Sequence, residues 1–139
     1  MIPDFKTLID RLKVNQGFRS KVYKCTEGYD TIGYGFAIKD LELTEEEASL
    51  LLANRVAKKH LEISKRSDWY DDLPPEIKNV VIECCYQLGI TGWSKFKKAI
   101  ANMIDKNWKG AAEEMLDSRW AKQTPNRANQ LATIVREHG

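Results

Sequence analysis

Residues 16–36, QGFRSKVYKCTEGYDTIGYGF, decide how this chain is read. Gln16, Cys25 and Thr31 stand in it with eight and then five residues between them. From about residue 22 to 38, Tyr, Thr and Ile alternate with Gly28, Gly33 and Gly35. Such alternation broken by glycines predicts short strands joined by tight turns. A small glycine-bearing sheet would then hold the side chains of Cys25 and Thr31.

The flanks read as helices. Phe5, Leu8, Ile9 and Leu12 recur at i, i+3, i+4 and i+7, which predicts a short amphipathic helix over 3–15, ending just before Gly17. Thr44 followed by Glu47 is a capping-box pattern, and the periodic run through about residue 66 predicts a long connecting helix. Leu50, Leu51, Val56, Leu61 and Ile63 are its apolar stripe. Pro75 is well placed to open a further helix carrying Ile77, Val80, Val81, Cys84, Cys85 and Leu88, which Gly89 should stop. Three more helices are expected near 93–105, 107–117 and 125–137, the last entered through Thr124-Pro125.

The fold class that follows is α+β, mostly α. A small N-terminal β-containing lobe is joined by a long helix to a helical C-terminal lobe. Residues 1–139 form one domain, with lobes at about 14–60 and at 1–13 plus 61–139. Two lobes of that kind suit a long polymer threading between them. Cys84 and Cys85 fall on an apolar helical face and read as core. The four tryptophans read mainly as packing anchors, and Lys95, Lys97 and Lys98 as a solvated face.

Composition narrows the chemistry. The 139 residues are 42% apolar and 30% charged, an ordinary globular balance long enough to bury a core. A net charge of +2 is too small to imply a nucleic-acid partner. No secretory signal or membrane-length apolar run is visible. Three cysteines, two of them adjacent, make no disulfide framework, and two isolated histidines give no metal-ligand spacing. No cofactor is expected.

A pocket that cleaves a glycosidic bond needs one group to protonate the leaving oxygen and another, on the opposite face, to attack or to activate water. The acid is usually a carboxyl with a raised pKa. Position 16, at a helix C-terminal end beside Gly17 and Phe18, is such a seat, because the partial negative charge there favours a protonated carboxyl. Gln16 has the shape of that acid without its proton.

The segment GFRSKVYKCTEGYDTIGYG, with YQLGITGWSKF (86–96) and SRWAKQTPNRA (118–128), resembles the lysozymes of tailed bacteriophages, the T-even type and its endolysin relatives in glycoside hydrolase family 24. The likeness covers nearly the whole chain. It implies that Gln16 occupies the position of the family's general-acid Glu, Cys25 that of its Asp or Cys, and Thr31 that of its Thr. It implies substrate-binding roles for Phe36, Ala37, Tyr86, Gln87, Gln123 and Arg127, the last matching an arginine that pairs with the catalytic Glu. Phe36 departs from the family, where many members carry a histidine.

The resemblance further implies a muramidase that cuts the β-1,4 bond between N-acetylmuramic acid and N-acetylglucosamine in peptidoglycan. Such an endolysin would act as a monomer without entering the membrane. It would wait in the host cytoplasm until the membrane is opened. With an amide at position 16 this form is expected to be inactive or strongly impaired, whether by an introduced substitution or as a naturally inactive relative. Two rivals remain: a non-catalytic wall-binding module, and a thiol-dependent enzyme that uses Cys25 directly.

Overall fold

The computed structural model describes residues 5–139, so residues 3 and 4 of the expected first helix lie outside the described residues. The chain forms two compact units, the first ending at Ala48 and the second running from Ser49 to Gly139. The α+β, mostly helical class expected from the sequence is what the structure shows.

In the first unit, helix α1 (Phe5–Gln16) ends where Gly17 turns left-handed at φ 69°. The Gly17 N–H donates to the Lys13 carbonyl at 2.9 Å, a common way of closing a helix that a side chain at this position would strain. Strands β1 (Arg19–Lys24), β2 (Asp30–Gly33) and β3 (Phe36–Ala37) form an antiparallel meander in sequence order. Tyr23 pairs with Thr31 and Lys24 with Asp30, while the register slips between Arg19 and Tyr23. On the other side Thr31 pairs with Ala37 and Ile32 with Phe36. The β1–β2 connection is tied by Cys25 N–H to the Tyr29 carbonyl and by Gly28 N–H to the Cys25 carbonyl, each 2.9 Å.

Helix α2 (Glu45–Arg66) begins with the expected reciprocal cap. Thr44 N–H donates to Glu47 Oε1 at 3.0 Å, and Glu47 N–H to Thr44 Oγ1 at 3.1 Å. These bonds to its carboxylate hold the Glu47 pKa below the ordinary value.

The second unit is all helix: α3 (Pro75–Ser94), α4 (Lys97–Ile104), α5 (Trp108–Leu116), α6 (Arg119–Gln123) and α7 (Pro125–Glu137). Gly89 does not stop α3 as expected. It kinks the helix at φ 77°, ψ 160°, and the chain turns helical again through Ser94. Residues 93 and 94 therefore belong to α3 rather than to the helix expected over 93–105. Short α6 was not foreseen; its start is fixed by Ser118 Oγ, which accepts from Ala121 N–H at 3.2 Å.

The core lies between these helices. Val80, Val81, Cys84 and Cys85 from α3 meet Ala111, Ala112 and Met115 from α5 and Ala128, Leu131, Ala132 and Val135 from α7, all buried. Alanines on α5 and α7 let those two helices approach closely. Burial forbids the charged form of a thiol, so it pushes Cys84 far up and Cys85 up to about 11. Both cysteines are core, as expected, and Trp93 and Trp120 are buried packing residues. No helix among the described residues is long and apolar enough to cross a membrane.

Candidate active site

Position 16 is built by the end of α1 and the turn between β2 and β3. Gln16 is the last residue of α1, and its side chain is exposed. It lies against Gly35, whose φ is 79°. A Cβ at Gly35 would fall 2.5 Å from Gln16 Oε1 and 3.1 Å from Cδ, so only glycine leaves room for this side chain. Gly33 does the same for Phe36, whose ring would sit 2.9 Å from an added Cβ.

Cys25 and Thr31 face each other across the β1–β2 hairpin, because Cys25 opens the turn that Tyr29 closes. Thr31 is 3% exposed, while Cys25 is half-buried. The Cys25 thiol is held below its ordinary pKa, first by the Tyr29 and then by the Glu27 backbone N–H, with a smaller contribution from the Thr31 hydroxyl. Partial burial and the Glu27 carboxylate oppose this. Thr31 has a single hydroxyl proton, given to the Tyr29 carbonyl at 3.0 Å. A Cys25 thiolate would compete for that proton. While the proton stays on Tyr29, the Thr31 oxygen is free to accept from a thiol or a water.

The second unit carries a groove of about 440 Å³ lined by Leu52 and Val56 of α2, by Asn79, Ile82, Glu83, Tyr86 and Gln87 of α3, and by Arg127 of α7. Three expected binding residues, Tyr86, Gln87 and Arg127, therefore share one surface. Tyr86 is 55% exposed. Gln123 ends α6 and is exposed, but it does not line this groove. Phe36 is exposed and Ala37 half-buried on β3 of the first unit.

Three groove or seat residues escaped the sequence reading. Asn79 and Glu83 follow Gln87 backwards at helical spacing, a signal the α3 periodicity already contained. Trp120 donates its indole N–H to Gln87 Oε1 at 2.9 Å across 33 residues of sequence, and nothing local announces that.

A family model described as phage lysozyme matches residues 13–137, nearly the whole chain. The chain belongs to the phage lysozyme family. Among its relatives are the probable T4-type lysozymes 1 and 2 of Dictyostelium discoideum. The first is 31% identical over 91% of each chain, the second 29% identical over 92% of each. The pre-baseplate central spike protein Gp5 of Enterobacteria phage T4 is 26% identical over 93% of this chain, but over only 27% of its own length. In this lysozyme-type glycoside hydrolase, both the helix end bearing Gln16 and the hairpin bearing Cys25 and Thr31 fall inside the matched span.

Proposed function

We propose that the chain binds the glycan strands of bacterial peptidoglycan, and that its fold serves a muramidase cutting the β-1,4 bond from N-acetylmuramic acid to N-acetylglucosamine. The observation that carries this reading is the family match running through the Gln16, Cys25 and Thr31 motif. In that mechanism residue 16 protonates the leaving oxygen, while Thr31 and Cys25 hold or activate the attacking water. A Thr31 oxygen whose proton is committed to a carbonyl is suited to accept from that water.

Gln16 cannot deliver a proton. Loss of a general acid removes roughly 10²–10⁴ of rate, so the chain as it stands is read as inactive or strongly impaired. Glutamine and glutamate share a shape, so fold and glycan binding should survive. The role assigned to the active parent is host lysis as an endolysin, reaching the wall once the membrane is opened. Arg127 would pair with the acid of that parent, and Phe36, Ala37 and Gln123 would contribute to glycan binding.

Gln16→Glu tests the assignment. Clearing of purified wall or permeabilised cells by Gln16→Glu, with little by the chain as it stands, is the expected result. Gln16 itself favours one competing reading, a wall-binding module without turnover. Wall binding by both forms with clearing by neither would establish that module instead.

A further inference from the structure

Gln87 is the one groove amide whose orientation a buried partner dictates. The Trp120 indole N–H can only donate, so the atom it holds at 2.9 Å must be the amide oxygen of Gln87. With Oε1 engaged, the two Nε2 hydrogens are what Gln87 has left to offer the groove it lines. Trp120 cannot readily turn to release it. It is 4% exposed. Its ring stands edge-on to Phe96 at 6.0 Å, and Phe96 is stacked on Trp93 at 5.2 Å. Its carbonyl is bound by the Thr124 hydroxyl at 3.0 Å.

We propose that Trp120 is a positioning residue that fixes Gln87 as a hydrogen-bond donor for the acetamido carbonyl of an N-acetylated sugar. An acetamido group joins a strong acceptor to a methyl group. The groove offers the complement, a donor amide beside the apolar side chains of Leu52, Val56 and Ile82. A hydroxyl would satisfy the donor but leave the apolar surface unused. Free to flip, the amide would present its oxygen half of the time and lose this discrimination. The inference rests on the glycan-binding reading above, and gives the substrate a required chemical group.

The test is binding, which the chain as it stands should retain without turnover. The probes are a β-1,4-linked N-acetylglucosamine oligosaccharide and its fully de-N-acetylated counterpart, titrated calorimetrically at a pH where the free amine is uncharged. One neutral hydrogen bond with its methyl contact predicts roughly tenfold tighter binding of the acetylated sugar. Trp120→Phe, which keeps the aromatic packing and removes the donor, should shrink that preference to about threefold or less. Gln87→Glu keeps an oxygen for Trp120 but loses both donors, and should abolish the preference. It also carries the test should Trp120→Phe not fold, as judged by its thermal transition. Binding of neither sugar by the unaltered chain overturns the glycan reading itself. Equal binding of both sugars, or a preference that survives in either folded variant, overturns the role of Trp120 and Gln87 while leaving that reading in place.

Discussion

The seat of residue 16 yields a sharp prediction. In a Gln16→Glu background, Gly35→Ala places a Cβ where the structure puts Oε1 at 2.5 Å, Cδ at 3.1 Å and Cγ at 3.5 Å. Ordinary contact requires roughly 3.5 Å or more, so the end of the residue-16 side chain must retreat by about 1 Å. A displacement of that size at a reacting group costs on the order of 10²-fold in rate. The backbone cost is separate. At φ 79° an alanine is strained by roughly 1–2 kcal/mol, which leaves an ordinary domain folded. Gly28→Ala separates the two effects, because Gly28 has φ 86° but nothing within 4 Å of an added Cβ. Initial rates of wall clearing and urea unfolding should be measured for all three forms. The two alanine variants should lose similar stability, and only Gly35→Ala should lose about two orders of magnitude of rate. Unimpaired clearing by Gln16→Glu with Gly35→Ala, or equal loss from Gly28→Ala, would refute the argument that this turn aims residue 16.

Thiol chemistry and pH supply the remaining tests. Cys25, with its pKa lowered by the Tyr29 and Glu27 N–H groups, should be alkylated in the native protein faster than a free peptide thiol, while buried Cys84 and Cys85 stay unlabelled until unfolding. Mass spectrometry showing one fast label and then three in denaturant is the expected outcome, and fast labelling of Cys84 or Cys85 would contradict the assigned core. Cys85, raised to about 11, and Tyr70, raised to about 12 chiefly by burial and then by Asp71, stay neutral in the fold while their unfolded counterparts ionise near 9 and 10. The unfolded state then binds fewer protons than the native one. Stability is therefore full below about pH 9 and falls as pH climbs towards 12, by up to about 1.4 kcal/mol per pH unit for each group titrating. A urea midpoint unchanged between pH 8 and pH 10.5 would show that these groups do not reside in a dry core.

Most elements were legible because their signals are local. The Thr44–Glu47 cap, Pro75 and the Thr124-Pro125 pair mark helix starts whatever the tertiary context, and the structure uses each of them as a start. Gly89 shows the limit of such reading. A glycine with positive φ can end a helix or merely bend it, and the outcome depends on whether the following residues find a core to enter. Here Trp93, four residues on, is buried at 2% exposure, so helical structure resumes beyond the kink. Helix α6 was missed for the opposite reason. Five residues are too few to show a period, and its fixed points are the Ser118 cap and the Trp120–Gln87 bond, one of them long-range.

The candidate site divides in the same way. The spacing of Cys25 and Thr31 is a hairpin length, since the Cys25–Tyr29 backbone bond and the Tyr23–Thr31 pairing bring both to one end of β1 and β2. Such a spacing can be read from sequence. What aims Gln16 is a glycine nineteen residues away in the turn before β3, and what aims Gln87 is a tryptophan on a helix without a periodic signature. Both are contacts of shape: a missing Cβ beside Oε1 in the first case, a donor that accepts nothing in the second. Replacing a carboxyl by an amide at position 16 alters neither contact. Stability measurements will therefore hardly distinguish Gln16 from glutamate. The difference must show in the rate of the one step that needs a proton, and glycan binding should remain almost as it was.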